Sequence, residues 1–217
     1  MKTSVAIACE PNRALEIEEM DLEGPKEGEV LVRIVITSLC YADVFTLSAE
    51  DLEGLFPCIL GILGHEGLSR AEEVGKGVTS VKPGDNMIPL YLPEDPDFPH
   101  IKSGKTNVCQ TIRQTQGAGL MPDGPSRFSY RGEQLPRYIG ISTFIEYTVL
   151  TEISFAKAPK EARLSKVSVK VCAVPTEMGL CAKPRRSRWA AMSLSLNSVP
   201  PGSPNTWTQW CAPRRKS

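Results

Sequence analysis

Glu29-Val30-Leu31-Val32-Arg33-Ile34-Val35-Ile36-Thr37 is the stretch that decides the fold. Val30, Val32, Ile34 and Ile36 alternate with Leu31, Arg33, Val35 and Thr37, a period of two carried mostly by β-branched residues. Successive side chains of a strand point to opposite faces, and branched side chains suit a pleated surface, so a strand is predicted over residues 29–37. Working outward, Val5 to Ala8 suits a short first strand and Leu15 to Met20 a second. Ala42 to Leu47 fits one or two helical turns. Lys82-Pro83-Gly84-Asp85 predicts a turn that leads into a strand at Met87 to Leu90. Phe144 to Leu150, with its Phe, Tyr, Thr and Val, reads as another strand. Many short strands divided by Gly and Pro turns argue for a mostly-β barrel or sandwich.

The chain has 217 residues, of which 41% are hydrophobic and 23% charged, ordinary values for a globular protein with one core of decent size. A formal net charge of zero hides an asymmetry. Residues 164–217 hold nine Lys/Arg and one acid, Glu177, which leaves the preceding residues at about −8 and this stretch at about +8. The apolar run Val5-Ala6-Ile7-Ala8 is too short for a secretory signal, Glu10 closes it, and no run approaches membrane-spanning length. The expectation is a cytoplasmic protein without a membrane partner, its seven cysteines reduced or metal-bound. The chain changes character near Leu164: all three tryptophans lie beyond it, no Phe or Tyr follows Phe155, and six prolines fall among Ser, Arg and Lys. The division predicted is a β domain over 1–163 and a largely disordered basic tail over 164–217, too poor in spaced apolar residues to offset ordering entropy.

Gly64-His65-Glu66-Gly67 begins 24 residues after Cys40. A thiolate, an imidazole and a carboxylate brought together make a Zn²⁺ site, and flanking glycines let backbone pass close by without Cβ clashes. A satisfied His–Glu polar pair is the plainer reading of the tetrad alone.

The flanks of the tetrad carry a resemblance. Gly24-Pro25-Lys26-Glu27-Gly28-Glu29-Val30, Cys40-Tyr41-Ala42-Asp43, Phe45-Thr46-Leu47-Ser48, Gly75-Lys76-Gly77-Val78-Thr79, Lys82-Pro83-Gly84-Asp85 and Thr115-Gln116-Gly117-Ala118-Gly119-Leu120-Met121-Pro122-Asp123-Gly124 occur in that order. Together they resemble the zinc-dependent medium-chain alcohol dehydrogenases, and among these the glutathione-dependent formaldehyde dehydrogenase branch. The resemblance runs from about Met1 to Arg163, with a thinner trace to Gly179. It implies a GroES-like catalytic domain, an irregular β-barrel with small helices. It also implies a chemistry: oxidation of S-(hydroxymethyl)glutathione, and less readily of primary alcohols, with zinc and NAD. A zinc ion in such a site polarises the alcohol oxygen and lowers its pKa.

By motif match, Cys40, His65 and Glu66 fall on the family's catalytic-zinc residues. Lys166-Val167 followed by Cys172 fits the segment that supplies a second thiolate, the plainer alternative being a thiol in an unstructured tail. Asp43 matches the carboxylate that orients the site, and the other reading is a cap on the short helix. Asp51, Glu53 and Arg113 match positions that contact the glutathione part of the substrate, against exposed loop charges as the bland reading.

Several departures stand beside these matches. The family carries His then a hydroxyl residue where Tyr41 and Ala42 stand, so the proton relay lacks its first member. Of the four cysteines of a structural zinc lobe only Cys109 remains, the others reading Asp95, Phe98 and Ile101, and the lobe from Tyr91 to Cys109 is expected to be loose without metal. Ile59-Leu60-Gly61 is repeated as Ile62-Leu63-Gly64, an insertion that either displaces His65 or bulges out. Arg70 stands at an apolar strand position two residues from Glu72, on the same face, where the two could pair. No Gly-x-Gly-x-x-Gly turn for a dinucleotide pyrophosphate occurs.

Three functions follow. The first is a zinc- and NAD-dependent dehydrogenase by descent, weakly active or inactive alone because its cofactor domain is missing. The second is a non-catalytic zinc-binding fragment or damaged-gene product. The third is a nucleic-acid partner through Arg185-Arg186-Ser187-Arg188-Trp189, which the acidic body opposes. The oligomeric state stays open, because relatives associate chiefly through the cofactor domain.

Overall fold

The computed structural model describes residues 1–48, 61–91, 102, 115, 118–162 and 172. The chain divides into two compact units, Met1–Val171 and Cys172–Ser217. Of the second only Cys172 is described. In chain order the elements are β1 (Lys2–Ile7), β2 (Glu16–Leu22), β3 (Glu29–Ser38), α1 (Tyr41–Ser48), β4 (Glu66–Val74), β5 (Asn86–Pro89), β6 (Phe128–Tyr130), β7 (Glu133–Gln134), β8 (Tyr147–Thr151) and β9 (Phe155–Lys157). Short 3-10 turns occupy Tyr138–Gly140 and Glu152–Ser154.

The alternating stretch that opened the sequence becomes β3, an interior strand, between β8 and β4, of an antiparallel sheet ordered β8-β3-β4-β5-β9. Its alternation does more than separate core from solvent. Leu31 joins a core with Val5, Ile7, Met20, Leu22, Ile62 and Phe128. Val30 and Val32, on the other face, join a second core with Ala71, Val81, Met87 and Leu150. The strand is therefore buried on both sides through Val32, and only from Arg33 onward does every second residue reach solvent. A second sheet, ordered β1-β2-β6-β7, lies in the same unit. Among the described residues, two half-barrel sheets and the short helix α1 make the unit mostly β, the irregular barrel that the sequence predicts.

Boundaries shift where backbone partners, not side-chain pattern, decide them. β1 begins at Lys2 rather than Val5, because Lys2, Thr3 and Ser4 pair with Asp21, Met20 and Glu19 of β2. β8 begins at Tyr147 rather than Phe144: the Phe144 amide donates to Leu63 O and its carbonyl accepts from Ala6. The stretch before Tyr147 thus crosses between elements instead of extending the ladder. The turn at Lys82–Asp85 is as expected, with Gly84 at φ 89°, the left-handed region that a glycine adopts without strain.

The expected pairing of Arg70 with Glu72 is corrected. Glu72 Oε1 lies 3.3 Å from Arg33 Nε across the β3–β4 ladder. Arg70, opposite Arg33 in register, is half-buried, and its Nε has no hydrogen-bond partner. The cationic face of the ladder holds two arginines and one acid, and the acid goes to the partner on the neighbouring strand.

Two buried arginines, unsignalled by any motif, brace the fold. Arg127 Nη2 lies 2.5 Å from Glu29 Oε1 and 2.7 Å from Asp123 Oδ2, and its Nε reaches Glu29 Oε2 at 3.1 Å. Burial works against this cation, but hydrogen bonds to Glu29 and Asp123 outweigh it and raise its pKa. Arg137 donates to Met121 Sδ, to Val149 O at 2.6 Å and to Thr148 Oγ1 at 3.2 Å. It has no carboxylate on its guanidinium, and burial pushes its pKa down to about 9. No helix among the described residues is long and apolar enough to cross a membrane. The basic tail apart from Cys172, and the structural-zinc lobe positions Asp95, Phe98, Ile101 and Cys109, lie outside the described residues, as does the third-function segment 185–189.

Candidate metal centre

The β3–β4 register builds the site. Ser38 pairs with Glu66 and Thr37 with Gly67, so the chain leaving β3 toward Cys40 runs beside the entry of β4. Cys40 immediately precedes α1, and His65 immediately precedes β4. Antiparallel pairing thus converts a sequence gap of some two dozen residues into contact. One ligand atom from each of Cys40, His65 and Glu66 lies within 4.8 Å of the others. His65 and Glu66 are buried and Cys40 is half-buried.

Asp43 touches both the helix start and the imidazole. Its Oδ2 accepts from the Cys40 amide at 3.0 Å, which reaches back over the first turn of α1 as a cap. Its Oδ1 lies 3.1 Å from His65 Nδ1 and accepts the Gly64 amide at 3.1 Å. With Nδ1–H donating to this carboxylate, the Nε2 lone pair is left for a metal. Helix α1 and the start of β4 are therefore joined through a single buried side chain.

The duplication leaves His65 in place. Gly61 exchanges backbone hydrogen bonds with Ala8, and the second copy, Ile62-Leu63-Gly64, packs inward. Gly64 holds φ 91°, and a Cβ there would meet Phe144 Cδ1 and Thr143 Oγ1, each at 2.5 Å. Thr143 N donates to Gly64 O, while Thr37 Oγ1 donates to Glu66 O at 3.0 Å and lies 2.7 Å from Thr143 Oγ1. These contacts pin the tetrad from the side of residues 143–144.

Aromatic rings enclose the imidazole. Tyr91 and Tyr138 stand edge-on to His65, with ring centroids 5.8 Å and 5.9 Å away. The Tyr138 hydroxyl lies 2.8 Å from Thr46 Oγ1 and donates to Ala42 O at 3.2 Å. Sequence reasoning passed over Tyr91, Tyr138, Thr37 and Thr143. They sit on separate segments, and no spacing links them to the tetrad. The glycines of the tetrad were the one signal that another segment packs against it.

The donor set suits zinc. Donors of one tetrahedral zinc lie about 3.5 Å apart, given bond lengths of about 2.0–2.3 Å. The observed spread exceeds that by an amount that side-chain rotation can close. A thiolate, an imidazole with its far nitrogen already fixed and a carboxylate, largely out of water, form a soft-to-borderline set. Cys172 is half-buried and, like Cys9 and Cys40, not in a disulfide. Asp51, Glu53, Cys109 and Arg113 lie outside the described residues.

With this geometry in hand, comparison with known proteins is informative. Residues 26–160 match the model of the alcohol dehydrogenase GroES-like domain. The chain is 51% identical over 179 residues to the S-(hydroxymethyl)glutathione dehydrogenase of Escherichia coli O1:K1 / APEC, covering 82% of this chain and 48% of that protein. The protein of the same name from Shigella sonnei (strain Ss046) gives the same figures, 51% identity over 82% of this chain and 48% of the relative. The chain thus spans about half the length of the curated relatives it matches. Among solved structures, an alcohol dehydrogenase zinc-binding domain protein from Burkholderia ambifaria superposes with a TM-score of 0.75 at 26% identity, over 84% of this chain and 49% of that one. Benzyl alcohol dehydrogenase from Acinetobacter calcoaceticus gives 0.74 at 20% identity over 86% and 49%, a likeness of fold.

Proposed function

The chain belongs to the alcohol dehydrogenase GroES-like domain family, and from that premise we propose that it is the catalytic-domain portion of a zinc-dependent dehydrogenase acting on S-(hydroxymethyl)glutathione, with primary alcohols as poorer substrates. The observation that carries the reading is the convergence of Cys40, His65 and Glu66 in a chain 51% identical to proteins of that activity. Cys172 is the proposed remaining donor, on the strength of the Lys166-Val167 spacing before it. Asp51 and Glu53 would hold the ammonium end of the glutathione moiety, and Arg113 a carboxylate through its planar fork. Cys109 is the proposed remnant of a second, structural zinc site. The proposed division remains a catalytic domain over 1–163 followed by a basic tail, in a cytoplasmic protein.

Each residue of the centre has a task that follows from its contacts. Asp43 holds the Nδ1 proton of His65 and so orients Nε2. Tyr91 and Tyr138 keep the imidazole dry and upright. Bound zinc supplies Lewis acidity toward an alcohol oxygen. Hydride transfer needs a bound nicotinamide, and the sequence holds no dinucleotide-binding Gly-x-Gly-x-x-Gly turn, so turnover by this chain alone is expected to be slow.

Ala42 favours a second reading, a zinc-binding domain without catalysis. A methyl side chain cannot pass the alcohol proton onward. Metal analysis by mass spectrometry, followed by NADH absorbance with NAD⁺, formaldehyde and glutathione, separates the two. About one zinc per chain with slow turnover supports the dehydrogenase, and zinc without turnover supports the second reading. A chain purified without zinc, which also fails to take it up, overturns both.

A further inference from the structure

We infer that Tyr138 is a positioning residue for the metal centre, setting the separation of Cys40 and His65 by gripping both of their supports with one side chain. The cobalt arm of the test below rests on the zinc reading above; the exchange arm does not.

The grip on helix α1 is made by the phenol. Ala42 and Thr46 are one helical turn apart, and the Tyr138 oxygen sits between them. It donates its proton to the Ala42 carbonyl and takes one from the Thr46 hydroxyl, so its hydrogen-bonding capacity is engaged on one face of the helix. Ala42 lies between Cys40 and Asp43, the residue that caps the helix and holds His65. A shift of α1 along its axis would break both phenol contacts. The grip on His65 is made by the ring, edge-on at 5.9 Å and 68°.

Tyr138 itself is held in place by its own segment. Its amide donates to Ser142 Oγ at 2.8 Å, and Ser142 Oγ donates to Ile62 O at 2.8 Å. Arg137, the preceding residue, forms a parallel bridge with Ile62 and is anchored by its buried guanidinium. Ile139, the following residue, has φ 42°, and Ser142 has φ 50°. A β-branched residue in the left-handed region is a conformational outlier that persists only where its surroundings dictate it. Here it turns the chain where Tyr138 packs with Ala8 and Leu63, and Ile139 and Leu47 of α1 lie against the same cluster. Ile62 and Arg137 belong to the segments on either side of the centre, so the phenol closes a loop of contacts that runs from α1 through residues 138–142 to the tetrad.

The test uses the full chain and three variants. Tyr138→Phe removes the hydroxyl but keeps the ring, Tyr138→Leu removes both, and Thr46→Val removes only the donor to the phenol. Cobalt(II) titration followed by visible absorption reads ligand affinity and geometry. Cobalt affinity is expected to fall about tenfold in Tyr138→Phe with a shifted ligand-field spectrum, to fall further in Tyr138→Leu, and to fall less than in Tyr138→Phe in Thr46→Val, which keeps the phenol's bond to the Ala42 carbonyl. In the metal-free chain, hydrogen exchange should speed about tenfold at the Cys40 and Gly64 amides of Tyr138→Phe, both donors to Asp43, while β3 amides keep their protection. A shifted spectrum with weakened cobalt binding, or selective acceleration of those two amides, supports the inference. Unchanged cobalt binding together with unchanged exchange overturns it, as does acceleration spread evenly through β3, which marks a merely structural role. If the wild-type chain takes up no cobalt, the zinc reading falls and the exchange arm alone decides.

Discussion

Gly64 and Gly84 have almost the same φ and opposite surroundings, which makes them a matched pair. Gly64 has φ 91° and Gly84 φ 89°. An alanine at either carries the cost of a left-handed L-residue, about 1–2 kcal/mol. At Gly84 nothing lies within 4 Å of the added Cβ. At Gly64 the Cβ would meet Phe144 Cδ1 and Thr143 Oγ1 at 2.5 Å and the Phe144 amide nitrogen at 2.7 Å, all inside van der Waals contact. One of these is backbone, and the Thr143 and Phe144 amides are already committed to Gly64 O and Leu63 O. The segment cannot yield without breaking them. Overpacking of this kind adds about 1–3 kcal/mol. Gly64→Ala should therefore cost about 2–5 kcal/mol and Gly84→Ala only about 1–2 kcal/mol. For a domain with about 5–15 kcal/mol in all, the difference is large. Urea unfolding followed by fluorescence or circular dichroism measures both, with the slope checked for constancy. Equal losses at the two positions would refute the steric argument, and with it the claim that residues 143–144 pin the tetrad.

Two further outcomes follow from the charged groups. Arg127→Met leaves Glu29 buried without its cation and should cost about 3–5 kcal/mol in urea unfolding, whereas Glu29→Gln combined with Arg127→Met should recover most of that loss; no recovery would show that the pair matters through shape alone. Asp85 has its pKa held below the ordinary Asp value by the Lys157 ammonium at 2.6 Å and by the Lys82 amide. A carboxyl depressed in the folded state contributes stability above its unfolded pKa and loses it as pH falls through the lower folded value. Asp85→Asn should therefore flatten the acid limb of a stability–pH curve below about pH 4, and an unchanged limb would place the acid transition elsewhere.

Strands were legible wherever a side-chain pattern and a backbone ladder coincide. β3 announced itself through the period of two carried by Val30, Val32, Ile34 and Ile36, and the structure adds what that period did not say, a core on each face of its first half. Lys2-Thr3-Ser4 has no such pattern, and β1 gains those residues only through partners in β2. Cys40, His65 and Glu66 were legible as candidate ligands, since they are types with ligating chemistry. Their support was not. Tyr138 reads in sequence as one aromatic among several, and its meaning depends on Ile139 adopting a conformation that no propensity favours. Arg70 misled for the same reason in reverse: two residues sharing a strand face invite a pairing, but the cross-strand neighbour Arg33 is available to Glu72.

The centre's construction argues that metal affinity and local folding are one quantity here. Cys40 follows β3 and His65 precedes β4, so the antiparallel ladder alone sets their approach to within a residue or two. The final ångström comes from Asp43, which bonds the Cys40 amide, the Gly64 amide and the His65 imidazole at once. A buried carboxylate with three donors is favourable only while all three are held, and any loosening of α1 leaves it under-satisfied. A metal drawing Cys40 and His65 together would oppose that loosening, and the glycine contacts at residues 143–144 would oppose it from the other side. The site's rigidity therefore resides in a helix of eight residues and a strained turn, both in reach of single substitutions.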